Sequence, residues 1–153
     1  LMKLLARYLK REMHVYLEHN VQFHAVGDLS RFSASLQKLI RETERKTAHC
    51  TGLQHHLALN YGARDEIVRA VNTLQAGGTQ ITPESLNAAL DAPEAVDLLI
   101  RTGGDHRLSN FLLWQAAYAE LFFTRTLWPD FNAHELQSII NQFKSVERRF
   151  GGL

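Results

Sequence analysis

Cysteine is nearly absent from this chain: Cys50 is the only one in 153 residues. No internal disulfide can form, which excludes a disulfide-stapled scaffold and suits a reducing compartment. No apolar run approaches the length needed to cross a bilayer, and no signal-peptide pattern is visible. Neither sign of charge dominates, since 17 Lys and Arg face 16 Asp and Glu for a net charge of +1. That balance gives no global pull toward nucleic acid or anionic lipid, so any basic site must be local. No tight hairpin signal joins any two candidate strands. The expectation is a cytoplasmic protein with no membrane segment and no nucleic-acid partner.

What is present reads as a globular α/β chain. Hydrophobic residues make up 45% and charged residues 22%, which argues against disorder. The length is that of one domain, so residues 1–153 are expected to form a single domain with a real core. Leu1, Leu4, Leu5, Tyr8, Leu9, Met13, Tyr16 and Leu17 mark an amphipathic helix to His19. No capping residue precedes it, so the chain is expected to open inside a helix whose upstream part is missing. Residues 21–26 alternate like a strand. A second amphipathic helix runs from Ser33 to about Lys46, and residues 53–59 form the next strand. Asp65 is expected to cap a helix that Gly77-Gly78 terminates. Thr82-Pro83-Glu84 starts another, reaching about Leu90.

Residues 96–100 read as a short buried strand, and the chemistry follows directly after it. The loop runs Arg101-Thr-Gly103-Gly104-Asp105-His106-Arg107-Leu-Ser109. Paired glycines reach backbone angles closed to other residues and allow a ligand close to the main chain. Two guanidinium groups offer planar forks of donors suited to phosphate oxygens. Ser109 stands where a helix is expected to begin, which would aim its hydroxyl and the first-turn amides at an anion. Taken together this is a candidate phosphate or diphosphate loop. A plain tight turn with ordinary surface arginines is the competing reading of the same spacing.

Residues 118–123 supply a fourth strand. Trp128-Pro-Asp-Phe131 turns the chain, and Asn132 with Glu135 opens a last helix ending near Arg148. Alternating strands and helices imply a parallel sheet flanked by helices on both faces. Ligands of such sheets bind beyond the carboxyl ends of the strands. Gly27-Asp28, Asn60-Tyr61-Gly62 and the Arg101 to Ser109 loop are all expected at that edge. Four strands are few for this architecture, so the sheet is expected to be incomplete. Trp114 and Trp128 read as core anchors. His24, His49, Cys50, His55 and His56 invite a zinc reading. Strand alternation sends His55 and His56 to opposite faces, however, and no pair has the usual ligand spacing.

The runs from Val96 to Gly104, Arg107 to Gln115, Tyr118 to Leu121 and Leu127 to Phe131 resemble the cis-prenyltransferases, closest to the bacterial undecaprenyl diphosphate synthases. Gly27-Asp28, Asn60-Tyr61-Gly62 and the closing Glu147 to Gly152 are similar to the family as well. The family's opening Asp-Gly-Asn-Gly-Arg phosphate loop and first strands have no counterpart here. The chain therefore resembles the C-terminal portion of such a domain, expected to be inactive by itself. The resemblance implies that Arg101, Arg107 and Ser109 hold the diphosphate of isopentenyl diphosphate. It implies that Glu120 is a catalytic residue and a magnesium ligand, and that Leu53 lies at the far end of a product tunnel. Arg149 and Gly151 resemble a tail that reaches into the neighbouring subunit of a homodimer. The implied reaction condenses isopentenyl diphosphate with farnesyl diphosphate, with Mg2+ as cofactor, to build undecaprenyl diphosphate for the cell-wall lipid carrier. Asp105 replaces a usual Glu and Ala63 a usual Gly; the shorter acid makes Asp105 a poor candidate for a magnesium contact. Read by itself, Leu53 is equally a plain core leucine. The alternative function is a non-catalytic partner subunit of a heteromeric cis-prenyltransferase, against which the retained Arg101, Arg107, Ser109 and Glu120 argue.

Overall fold

A computed structural model describes residues 2–147. The expected dimer tail, Arg149 and Gly151, lies outside the described residues. The chain divides into two compact units, residues 1–92 and 93–153, and each is built around a pair of parallel strands. The parallel α/β class expected from the alternation of elements is what the structure shows.

In the first unit, α1 (Met2–Glu18) turns one apolar stripe inward, with Leu9 and Tyr16 buried. It ends near Asn20, whose φ of +55° is a left-handed angle that asparagine tolerates. A β-α-β unit follows: β1 (Gln22–Val26), α2 (Ala34–Thr47) and β2 (Gln54–Ala58). β1 and β2 pair in parallel, Phe23 opposite His55 and Val26 opposite Ala58. The Ser33 side chain caps α2 by accepting from Leu36 N at 3.4 Å. Leu9, Tyr16, Phe23, Leu36 and Ile40 form the core between these elements. Burying a side chain of this size is worth about 1.5–3 kcal/mol, and this cluster is what fixes α1 and α2 against β1.

Among the described residues, the second edge of β1 carries no strand. Side chains satisfy its amides instead: Phe23 N donates to Thr47 Oγ1 (3.0 Å), Ala25 N to Glu44 Oε1 (2.9 Å) and Gly27 N to Asp91 Oδ2 (2.9 Å). Buried amides need partners of some kind, and here polar side chains supply them. The described residues form two two-stranded parallel sheets, β1 with β2 and β3 with β4, and Thr47, Glu44 and Asp91 close this edge of β1.

α3 (Ala63–Ala76) begins at Gly62 with no side-chain cap. Asp65 is thus not the cap; it lies in the first turn, where an acid suits the positive helix end, and receives Arg69 Nε at 3.0 Å. Gly77 and Gly78, the latter at φ +65°, end the helix as expected. α4 (Pro83–Ala88) opens with a reciprocal capping box between Thr82 and Ser85 and packs against α3.

In the second unit, β3 (Leu98–Arg101) and β4 (Glu120–Phe123) run parallel, Leu98 opposite Glu120 and Arg101 opposite Phe123. α5 (Ala133–Lys144) is capped by Asn132 Oδ1, which accepts from Glu135 N at 3.1 Å. Glu135 does not complete a capping box; its carboxylate receives Thr124 Oγ1 at 2.6 Å. Trp128 is not a core anchor. It is 74% exposed and stacks on Phe131 at a centroid distance of 6.1 Å.

Candidate active site

The loop leaving β3 is bent by glycine. Gly103 and Gly104 have φ of +91° and +85°, angles that side chains rarely adopt. Their amides donate to Thr126 O and Thr124 O, both at 2.9 Å, which fastens the bend to the segment after β4. His106 stacks on Phe123 at 4.9 Å and 13°.

Inside the bend the two arginines share one acid. Arg101 Nη2 donates to Asp105 Oδ2 at 3.0 Å and Arg107 Nη2 donates to the same oxygen at 2.7 Å. Arg101 Nη1 donates to Ser109 Oγ at 3.0 Å and also to the Arg107 carbonyl. The exposures differ, with the Arg101 side chain at 25% and that of Arg107 at 65%. Arg101 is therefore knitted into the loop, while Arg107 keeps Nε and Nη1 without protein partners among the described residues. A cleft of about 350 Å³ opens here, lined by Leu99, Ile100, Arg101, Arg107, Ser109 and Phe111 among others. Guanidinium donors beside an apolar wall suit an amphiphile with an anionic head.

Arg101, Arg107 and Ser109 are thus brought together. The reason differs from the one the sequence suggested. No helix starts at Ser109: residues 109–118 form turns and a bend, and Ser109, Asn110 and Leu112 have φ of +49°, +66° and +48°. A helix N-terminus does not contribute, and Ser109 is held by Arg101 instead.

Glu120 lies elsewhere in the unit. It opens β4 opposite Leu98, three residues before the partner of Arg101, about 10 Å along a strand. Side-chain alternation puts it on the face opposite Arg101. Its side chain is partly buried and makes no hydrogen bond or ion pair among the described residues. Leu53 is 69% exposed, so it is not a core leucine.

The first unit holds a polar network that sequence reading missed. Beyond the carboxyl ends of β1 and β2, Arg69 meets Asp91 in a two-point fork, Nη1 to Oδ1 at 3.1 Å and Nη2 to Oδ2 at 2.7 Å. Buried Glu66 accepts from Tyr61 Oη at 2.6 Å and Asp91 N at 2.9 Å. Burial would raise the Asp91 carboxyl, but the Arg69 fork, the Gly27 amide and the Arg69 charge outweigh it and hold the group below its ordinary value. Asn60 Nδ2 donates to Asp28 O at 2.9 Å, so Gly27, Asp28 and Asn60 do meet at this strand end. Asp91 stands 22 residues from Arg69 and 25 from Glu66, and no short motif announces the network.

Comparison with known proteins identifies the family. A family described as putative undecaprenyl diphosphate synthase matches residues 1–151. An isoprenyl transferase of Wolinella succinogenes is 55% identical over 156 residues, covering 100% of this chain and 68% of that protein. A ditrans,polycis-undecaprenyl-diphosphate synthase, (2E,6E)-farnesyl-diphosphate specific, of Yersinia pseudotuberculosis is 48% identical over 161 residues, covering 99% and 64%. Among solved structures, a probable undecaprenyl diphosphate synthase from Campylobacter jejuni superposes with a TM-score of 0.93 at 43% identity, covering 98% of this chain and 72% of that one. The lavandulyl diphosphate synthase of Lavandula x intermedia, solved with dimethylallyl diphosphate, gives 0.91 at 32% identity, covering 99% and 70%. The chain spans about two thirds of the length of the curated relatives it matches. With its glycine-bent arginine loop at the end of a parallel strand, this chain belongs to the undecaprenyl diphosphate synthase family of cis-prenyltransferases.

Proposed function

We propose that the protein carrying this chain condenses isopentenyl diphosphate with farnesyl diphosphate and, by repetition, builds undecaprenyl diphosphate for the cell-wall lipid carrier. The observation that carries this reading is the meeting of Arg101, Arg107 and Ser109 around one cleft at the carboxyl end of β3. The substrate specificity named for the Yersinia relative supports the farnesyl assignment.

In this reading the cleft seats the isopentenyl ester. Arg107 offers its outward donors to the diphosphate, Arg101 and Ser109 complete the seat, and the apolar wall of Leu99 and Phe111 takes the five-carbon chain. The allylic carbon–oxygen bond ionises, the isopentenyl double bond attacks the allylic cation, and loss of a proton leaves a Z alkene. Fixed guanidinium groups compensate the charge of the isopentenyl diphosphate throughout, without reorganisation at the moment of reaction.

Glu120 is the residue we assign to Mg2+. A carboxylate with no partner among the described residues suits a hard cation that fills its other positions with water and phosphate oxygens. When bound, the ion neutralises charge on a departing diphosphate. Leu53, an exposed apolar side chain, fits the wall of a product tunnel. The two units are read as parts of one prenyltransferase domain, working as a cytoplasmic homodimer to which Arg149 and Gly151 contribute. Among the described residues, no helix is long and apolar enough to cross a membrane.

The test is turnover by the protein that carries this chain. Labelled isopentenyl diphosphate, farnesyl diphosphate and Mg2+ are expected to give a polyprenyl diphosphate, abolished by chelation. Absence of any chain extension would overturn the assignment.

A further inference from the structure

The mechanism above leaves Asp105 without a part, yet Asp105 sits where an anion belongs. A single oxygen, Oδ2, receives Nη2 of Arg101 at 3.0 Å and Nη2 of Arg107 at 2.7 Å. Two like charges are thus drawn to one point, and among the described residues each makes an ion pair with this carboxylate alone. The Asp105 side chain is 44% exposed, so it can swing toward water without opening a core. We propose that Asp105 is an internal counter-ion occupying the diphosphate seat, which an incoming diphosphate displaces from the two guanidinium groups. The proposal rests on the reading that this loop binds a diphosphate.

Without a ligand, two guanidinium groups this close repel, and Asp105 keeps the seat assembled. With a ligand, the same carboxylate is a competitor. Exposed ion pairs are weak, so displacing it costs affinity but not so much that binding fails. A repeating condensation gains from such a seat. The ester bound here becomes the lengthened allylic diphosphate and has to leave before the next addition, and a tethered acid that returns to the arginines speeds that exchange.

The experiment is calorimetric titration with inorganic pyrophosphate of the parent protein and four variants: D105N, D105E, R101A and R107A. Asparagine keeps the shape and one acceptor oxygen but removes the charge. D105N is expected to bind pyrophosphate about tenfold tighter than the parent, with a steeper loss of affinity as salt is raised. D105E, which restores the charge, is expected to bind near the parent value. Thermal melts of each variant show that it is folded, and D105S repeats the measurement should D105N melt early. If R101A and R107A lose affinity while D105N and D105S bind no tighter than the parent, the counter-ion proposal is overturned and the diphosphate loop survives. If R101A and R107A bind as the parent does, the loop reading fails and the proposal fails with it.

Discussion

Arg101 donates from Nη1 to Ser109 Oγ at 3.0 Å, tying the two ends of the anion loop together. Ser109 carries a cost for this position, because its φ of +49° is left-handed and such an angle costs a non-glycine residue about 1–2 kcal/mol. The hydroxyl and the backbone can therefore be separated by substitution. S109G and S109A both remove the tie to Arg101 and are expected to weaken isopentenyl diphosphate binding by a similar factor, about tenfold. S109G is expected to melt at a higher temperature than S109A, since glycine relieves the backbone. Equal melting temperatures would show that the left-handed angle is not strained.

A second prediction concerns Gly27, whose φ is +113°. A Cβ built there would lie 2.2 Å from Leu59 O, a backbone atom that has no room to give. The same residue donates its amide to Asp91, so a shift also breaks the contact that closes this edge of β1. Gly27→Ala is expected to destabilise the first unit by about 2–4 kcal/mol, combining backbone strain and a lost hydrogen bond. Urea unfolding measures it, and a change below about 0.5 kcal/mol contradicts the geometry.

A third prediction is a dependence on pH. Tyr16 Oη lies 3.1 Å from His55 Nδ1, and burial, followed by the charge of His56, pushes His55 below its ordinary value. A lowered value means that the unfolded chain takes up the proton first. Stability is then complete above the ordinary value of 6.5 and is lost as pH falls from there through the folded value. Asp91, also lowered, adds a second loss that begins only below its ordinary 3.8. The melting temperature is expected to drop between pH 7.5 and 5.5, and H55Q is expected to flatten that drop. An unchanged slope in H55Q would assign the effect to other histidines.

How far the sequence revealed this structure can be judged residue by residue. Thr82 and Asn132 were legible as helix starts because a cap acts within three residues of itself. The strands through Phe23, Leu57 and Leu99 were legible from alternation and branching, with boundaries shifted by a residue or two. Ser109 was misread as a helix start because the apolar spacing of Leu108, Phe111 and Leu112 imitates a helical stripe. The backbone instead follows the bond from Arg101, which spacing cannot show. Asp65 was misread as a cap because Gly62 can begin a helix without any side chain. Arg69 and Asp91 stand 22 residues apart, and only the fold brings them together. The sharing of Asp105 by Arg101 and Arg107 had a trace in the sequence, an acid set between two arginines, but the geometry was needed to give it meaning.

The central claim is that the arginine loop holds the diphosphate of isopentenyl diphosphate. Calorimetric titration of the parent protein, R101A and R107A with that ester tests it most directly. Saturable binding by the parent, weakened at least about tenfold in each variant that still melts cooperatively, is the expected result. Parent-like binding by both variants would contradict it.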